Sequence, residues 1–316
     1  MATTTSITTT YAGEFAGQYI SAALLEGSTI ASGGITVKPN IKLKEVIKKV
    51  STDGIVKDAT CDFSATSTLT LTEKILQPEE QQVNLQLCKK DFVSDWEAVQ
   101  MGFSAYHNLP PSFSDFLIAH VAAKVAQKTE NSIWTGDTSN NGEFNGLTTQ
   151  IALDAGLPTA QEVAGTTVTS SNVIAQLGSI VDAIPAALYG SEDLFLYVSQ
   201  NIARAYVRAL GGFASGVGAA GTDSKGTQWF NNGALSFDGV KIFVANGLAN
   251  NTAVAAEKSN LFFGTGLLSD HNEVKVIDMA DLDGSQNVRV VMRFTAGVQY
   301  GIIDDIVTYG ITNSAN

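Results

Sequence analysis

The chain has 316 residues, of which 44% are hydrophobic and 16% are charged, against roughly 25% charged residues in an average soluble protein. Since one hydrophobic core seldom grows to this size, we expect two domains. The net charge is −12 and the only arginines are Arg204, Arg208, Arg289 and Arg293, so the sequence lacks the basic surface of a sequence-reading nucleic-acid-binding protein.

The low charge is itself informative, because interface cores are depleted of charged residues and a protein covered by its own copies needs few of them. A monomer with many Thr, Ser and Asn loops is the alternative that this composition leaves open. Cys61 and Cys88 lack the spacing of a zinc site or of a disulfide framework, which indicates two reduced thiols. The chain starts without a signal-peptide pattern and no later run approaches about 18 apolar residues, so we expect neither export nor a membrane span.

The first predicted elements are an N-terminal arm over residues 1–34 and a long β-hairpin within residues 35–82. The arm begins with a Thr-rich tract and continues in a weak helical pattern. In the hairpin segment, apolar and polar residues alternate as in strands on both sides of Thr52-Asp53-Gly54, which predicts a polar turn there. Its lysines form either a solvated edge or a subunit contact. A subunit contact would involve Glu45, Lys48, Lys49 and Lys57.

A long helix is predicted after a strand expected at residues 83–92. Pro110-Pro111 break the chain, and Ser112 with Asp115 forms a weak capping box, so the helix should begin near residue 112. Apolar residues then recur at helical spacing until Gly136, which ends the helix near residue 135. A helix of that length, roughly 35 Å at 1.5 Å per residue, is a structural axis rather than a connector.

Residues 165–265 have the pattern of an α/β insertion with its own core. We expect a helix over 171–188 that Pro185 interrupts, a strand over 193–199, a helix over 200–210, a glycine-rich loop over 211–226, and strands near 235–245 and 259–264. Arg204 and Arg208 share one face of the second helix, which would meet an acidic neighbour or DNA, or would be an ordinary exposed face. Residues 266–316 are mostly strands, so the predicted fold class is α+β.

No catalytic, cofactor-binding or metal site is predicted. The GxGxxG at residues 216–221 follows a predicted helix rather than a strand, which favours a mobile loop over a nucleotide site. Residues 137–148 approach the oxygen spacing of a calcium loop, but Thr148 stands where a bidentate Glu is needed. A polar turn is therefore favoured there, with calcium as the alternative. Asp304 and Asp305 are adjacent, which favours a solvated turn over a pair of catalytic carboxylates.

Two stretches resemble segments of a known family. Residues 120–150 contain an acidic residue, an apolar pair and a glycine at the end of the long helix, then a polar loop and Gly-Leu: Glu130, Ile133-Trp134, Gly136 and Gly146-Leu147. Residues 235–248 resemble the family's strand that ends in a short apolar turn, although the family's proline is missing from 239–242. On these segments and on its predicted element order, the chain resembles the major capsid proteins of tailed bacteriophages, which have the Hong Kong 97 fold.

The resemblance implies an N-terminal arm at 1–34, an extended hairpin called the E-loop at 35–82, a peripheral domain at 83–164 with a spine helix at about 112–135, an inserted axial α/β domain at 165–265, and returning peripheral strands at 266–316. It also implies a structural subunit that forms hexamers and pentamers and encloses double-stranded DNA without sequence-specific contact. A scaffolding protein, a portal and cement proteins are candidate further partners. The expected location is the virion, after assembly in the host cytoplasm. An encapsulin-like nanocompartment shell and an α/β enzyme are the alternatives.

Overall fold

The computed structural model describes residues 28–53, 55–59, 61, 68–88, 111–210, 235–266 and 275–312. The helices in these ranges are α1 Ser28–Ala31, α2 Pro111–Thr135, α3 Leu147–Ala152, α4 Val173–Asp182, α5 Gln200–Leu210 and α6 Ala280–Asp283. The strands are β1 Thr36–Lys38, β2 Glu45–Asp53, β3 Thr68–Leu76, β4 Glu79–Cys88, β5 Glu162–Val163, β6 Leu194–Val198, β7 Ser236–Phe237, β8 Val240–Val244, β9 Ala253–Glu257, β10 Leu261–Thr265, β11 Lys275–Asp278, β12 Asn287–Tyr300 and β13 Val307–Tyr309. This is a mixed α+β fold.

The longest strand, β12, organises a five-stranded sheet. The order is β1-β10-β12-β11, and β4 also pairs with β12 over ten residues on each strand. Alternate residues of β12 are buried, among them Val290 and Met292, because successive side chains of a strand point to opposite faces. The helix α2 contributes Val121, Val125 and Ile133 to the same hydrophobic core. The long helix therefore packs against the sheet that β12 organises.

A second sheet has six strands in the order β5-β13-β9-β6-β8-β7. The helices α4 and α5 cover one of its faces, where Leu177 and Ile202 join a core with Leu196 of β6. The other face of β6 and β9 carries Tyr197 and Val254, which belong to the same core as α2 and β12. The six-stranded sheet therefore separates two hydrophobic cores.

Several predicted elements are confirmed. The long helix begins at Pro111 and ends at Thr135, the second helix of the insertion spans Gln200–Leu210, and the strand before it spans Leu194–Val198. The strands β2 and β3 pair antiparallel and form the predicted hairpin, with Glu45 opposite Leu76 at one end. We refer to these two strands as the hairpin.

Other elements differ from the prediction. Thr52 and Asp53 still belong to β2, so the turn predicted at Thr52-Asp53-Gly54 is wrong, and residues 54–67 connect the two strands. The helix predicted over 171–188 with an interruption at Pro185 spans Val173–Asp182, so it ends three residues before the proline and does not resume after it. The strand β9 was not predicted, since its sequence AVAAE is rich in alanine and alanine is depleted in strands.

Two strands lie in a different sheet from the one their position suggests. β13 falls within the expected peripheral segment 266–316, yet it pairs with β9 and β5 of the six-stranded sheet. β10 falls within the expected insertion 165–265, yet it pairs with β12 and β1. Strand partners far apart in sequence decide sheet membership, and spacing along the chain does not reveal them. The arm before residue 28, residues 89–92 and the loop at 211–226 lie outside the described residues.

Candidate assembly surface

The hairpin has two chemically different faces. Directly opposed residues of an antiparallel pair lie on the same face, so the register places Val46 with Ile75, Val50 with Leu71, and Thr52 with Leu69. We call this the outer face: Val46, Lys48, Val50, Thr52, Leu69, Leu71, Glu73 and Ile75. Its apolar side chains are exposed, with 60% of Val50, 64% of Leu69 and 65% of Leu71 accessible to solvent. The cross-strand pair of Lys48 and Glu73 lies between these apolar positions, and a group of exposed apolar side chains of this kind is typical of an interaction site on a soluble protein.

The opposite face, which we call the inner face, rests on the rest of the chain. Leu76 is fully buried, and a Cβ atom on Gly264 would lie 3.0 Å from its Cδ2 atom. Ile47 is half-buried, with its Cγ2 atom 3.5 Å from where a Cβ atom on Gly301 would be. Side-chain Nε2 of Gln299 donates a hydrogen bond to the carbonyl of Ile75 at 3.0 Å. The root of the hairpin is therefore fastened, with its inner face toward β10 and the end of β12.

Two lysines of the inner face are ion-paired within the chain. Lys49 of β2 pairs with Asp304, and Lys74 of β3 pairs with Asp154 at 2.5 Å. The hydroxyl of Tyr300 donates a hydrogen bond to Asp154 at 2.5 Å. Partial burial acts to raise the pKa of Asp154, but the hydrogen bonds from Lys74 and Tyr300 outweigh it and hold that pKa below its ordinary value. Asp154 is therefore an acceptor that stays ionised.

The far half of the hairpin projects from the subunit. Residues 50–52 and 68–72 are exposed, whichever face they belong to. Lys49 and Asp53 are four residues apart, which corresponds to about 14 Å of extended strand. A two-stranded sheet with no third strand and no covering layer is only marginally stable in water. The projecting half would gain stability from a surface that covers its outer face.

The predicted interface residues lie in two places. Lys48 is exposed on the outer face, opposite Glu73, and Lys57 is exposed beyond the end of β2. Glu45 and Lys49 are each engaged within the chain, by Lys38 and Asp304 respectively. Arg204 and Arg208 are both exposed on α5, as the helical spacing predicts, and Nη2 of Arg204 donates to Gln200 at 3.3 Å. Their role as contact residues stays a prediction.

The apolar residues of the outer face were not among the predicted contact residues. Part of the signal for them was present, because Leu69 and Leu71 alternate with threonines along β3, whereas Lys48 interrupts the alternation between Val46 and Val50 along β2. Which alternate set faces solvent depends on the register of the pair and on the packing of Leu76. Neither can be obtained from one strand alone.

Glu130, near the C-terminal end of the long helix, has a structural role. Glu130 is buried and accepts hydrogen bonds from the backbone N–H of Thr29 at 3.0 Å, from the Thr29 hydroxyl at 2.6 Å and from the Ser28 hydroxyl at 2.9 Å. The indole N–H of Trp134 donates to the same Thr29 hydroxyl at 2.8 Å. These bonds fasten α1 to the C-terminal half of α2. The residues that follow the arm are thereby tied to the central helix.

The loop after α2 is a polar turn closed by its own hydrogen bonds. Gly146 N–H donates to the carbonyl of Gly136 at 2.9 Å, and a Cβ atom on Gly136 would lie 2.2 Å from the carbonyl oxygen of Phe144. The side chain of Asp137 accepts from Ser139 N–H at 2.8 Å, and that of Glu143 accepts from Asp137 N–H at 3.1 Å. These oxygens serve donors within the loop, which favours the polar-turn interpretation over calcium.

The candidate carboxylate pair lies in a turn, as predicted. Asp304 and Asp305 end a short 3-10 helix that begins at Ile303. Burial raises the pKa of Asp305, and Lys49 opposes that effect. In the described part of the chain, no group of three or more His, Cys, Asp or Glu side chains is arranged to hold a metal ion. Among the described helices, none combines the length and the apolar character that crossing a bilayer requires.

Comparison with known proteins identifies the fold. No family model and no curated protein matches the sequence. Among solved structures, the capsid of a native GTA particle is 14% identical with a TM-score of 0.57, over 98% of this chain and 94% of that one. The capsid of cyanophage P-SCSP1u is 13% identical with a TM-score of 0.52, over 89% and 87%. The procapsid of satellite phage P4 is 12% identical with a TM-score of 0.50, over 92% and 98%.

The chain has a phage-capsid fold of the Hong Kong 97 type. At these identities the likeness establishes the architecture, and the fold expected from the residues at 120–150 and 235–248 is confirmed at that level. Because the matched length is nearly the whole of each chain, the five-stranded sheet, the six-stranded sheet and the helices that cover them all belong to this capsid fold.

Proposed function

We propose that this chain is the major capsid protein of a tailed bacteriophage, a structural subunit that assembles into an icosahedral shell around double-stranded DNA. The observation that carries the proposal is the outer face of the hairpin, an apolar surface that the described part of the subunit leaves open, on a fold shared with phage capsids over nearly its whole length. Such a protein functions through contacts between its copies, which are stabilised by the burial of apolar surface and involve no catalysis.

The parts of the capsid fold can be assigned to the described elements. The hairpin of β2 and β3 corresponds to the E-loop, and α2 to the spine helix. The five-stranded sheet around β12 forms the peripheral domain, and the six-stranded sheet with α4 and α5 forms the axial domain. The helical turn α1, fastened by Glu130, marks where the N-terminal arm joins the subunit. The support for these assignments is the order, length and packing of the elements.

In this proposal the outer face of the hairpin lies across a neighbouring copy. Its five apolar side chains, Val46, Val50, Leu69, Leu71 and Ile75, are each about half to two thirds exposed in the single subunit. Burying the exposed part of a Val, Leu or Ile contributes about 1 kcal/mol, so the face contributes about 5 kcal/mol per contact before the costs of association. A contact between different surfaces of identical subunits closes into rings, which are the hexamers and pentamers of a shell.

The charge distribution fits a container. A subunit with a net charge of −12 has little electrostatic affinity for the phosphate groups of DNA, so the shell would enclose DNA without sequence-specific contact. A portal, a scaffolding protein and cement proteins are further proposed partners, and assembly would take place in the host cytoplasm before the shell becomes part of the virion. We propose no catalytic or cofactor-binding residue.

Negative-stain electron microscopy of the purified full chain tests this proposal. We expect closed shells or ring-shaped capsomers, and DNA inside particles isolated from their source. Shells that hold a protein cargo instead of DNA would indicate an encapsulin-like nanocompartment rather than a virus. A small discrete particle that stays monomeric at high concentration would contradict a shell function of either kind.

A deletion tests the contact role of the hairpin separately. Replacing residues 50–71 by a short Gly-Ser linker removes the far half of the hairpin, whose described residues 50–52 and 68–71 are exposed, and keeps the buried Leu76. The shortened subunit should fold with an unchanged melting temperature and should form no shells. Normal shells from this variant would show that the hairpin is not the contact element.

A further inference from the structure

The two ion pairs of the inner face join the hairpin to separate parts of the subunit. Lys49 reaches Asp304 in the turn after β12, whereas Lys74 reaches Asp154 in the turn after α3. The two lysines stand on different strands, and Lys49 lies opposite Thr72 while Lys74 lies opposite Ile47. The hairpin is therefore held at two points that differ both along its length and across its width.

The acceptors of both ion pairs, Asp154 and Asp304, are held by further hydrogen bonds within the subunit. The hydroxyl of Tyr300, a buried residue at the end of β12, donates to Asp154, and the Nζ atom of Lys74 lies 4.9 Å from the centre of the Tyr300 ring. The carbonyl of Asp304 accepts a hydrogen bond from the side chain of Gln161 at 2.6 Å. Both acceptors belong to turns that are packed against the subunit. Their positions are therefore fixed independently of the hairpin, and the lysines that pair with them hold the hairpin in place.

The position of Lys49 gives its ion pair leverage. The apolar contacts of Leu76 and Ile47 lie at the root, and Lys49 lies two residues beyond Ile47, which corresponds to about 7 Å further along the strand. A contact at that distance resists tilting of the hairpin more effectively than a contact of equal strength at the root. Partly exposed ion pairs add little to folding stability, so the main effect expected of the Lys49 pair is on the angle of the hairpin.

We propose that the pairs Lys49–Asp304 and Lys74–Asp154 are positioning contacts that set the angle at which the hairpin leaves the subunit, and thereby the curvature of the assembled shell. This inference rests on the proposed shell function. The outer face supplies attraction for the neighbouring copy, and the inner-face pairs determine the direction in which that attraction acts. A change of angle repeated at every contact changes the diameter of a closed shell.

A charge reversal with rescue tests this inference. Asp304→Lys places two cations together and releases the hairpin at Lys49, whereas Lys49→Asp combined with Asp304→Lys restores an ion pair in the opposite sense. We expect the single variant to keep the melting temperature within about 2 °C of wild type, since surface substitutions change stability little. We expect it to be cleaved in the hairpin several-fold faster by a protease and to give particles of mixed diameter or none. The double variant should recover the wild-type diameter.

Controls make each outcome decisive. Asp182→Lys introduces the same change of charge on an exposed position of α4 and should leave particle diameter unchanged. If Asp304→Lys fails to fold, the neutral Lys49→Met removes the same ion pair and should broaden the diameters in its place. Wild-type diameters from both variants, or no recovery in the double variant, would overturn the inference. A wild-type chain that forms no particles would instead refute the proposed function.

Discussion

Leu71→Asp places a carboxylate in the middle of the outer face. Because 65% of Leu71 is exposed in the single subunit, the substitution should change the free energy of unfolding by no more than about 0.5 kcal/mol. In an assembled shell the same position would be covered. The lost burial costs about 1–2 kcal/mol and an unpaired carboxylate in the contact costs about 1–3 kcal/mol more. At 1.4 kcal/mol per tenfold, each contact should weaken by about thirtyfold or more.

The matched control for this substitution is the adjacent residue. Thr70→Asp introduces the same charge at another exposed position of β3, but on the opposite face, because successive strand residues alternate. The assay is the protein concentration at which light scattering reports particle formation, with thermal unfolding of each variant as a check on folding. Leu71→Asp should raise that threshold strongly and Thr70→Asp should barely move it. Equal thresholds for the two variants would refute the one-sided contact.

Three further predictions concern the subunit alone. Glu130→Ala removes the acceptor of three hydrogen bonds and should lower the free energy of urea unfolding by about 2–4 kcal/mol, whereas the exposed Gln127→Ala should change it little. Gly136→Ala puts a Cβ atom 2.2 Å from a carbonyl oxygen and should abolish soluble expression, while Gly178→Ala in α4 meets nothing within 4 Å and should raise the melting temperature. The pKa of Asp154 is lowered in the folded state, so its stabilisation is present above its unfolded pKa near 4 and is lost as pH falls further; Asp154→Asn should flatten the loss of stability between about pH 5 and pH 3, and equal slopes would contradict this.

Local features of the fold were readable from the sequence. The helix α2 follows from a proline start, a 3.6-residue apolar period and a glycine stop, all within one stretch of chain, and the observed bounds are Pro111 and Thr135. Gly136 and Gly146 of the family-like pattern turned out to be positions where added Cβ atoms would collide with backbone. Signals of this kind depend on neighbours close in sequence.

Features that depend on distant residues were not readable. Lys49 and Asp304 are separated by 255 positions, and no pattern along the chain links them. The same holds for β13, whose strand character was predicted but whose partner β9 was missed because of its alanines. The prediction of a contact site was based on charged residues of the hairpin. The apolar outer face became apparent only from the register, which places Val50 opposite Leu71. The sequence therefore predicted the hairpin but not its apolar outer face, and the contact role of the charged residues stays a prediction.

A reconstruction of the assembled particle by electron cryo-microscopy tests the central claim most directly. We expect the side chain of Leu71 to lie within about 4.5 Å of apolar atoms of a neighbouring copy, as packed side chains do, while Lys49 stays paired with Asp304 of its own subunit. Particles in which the outer face of the hairpin points into solvent, with Leu71 and Val50 uncovered, would contradict it.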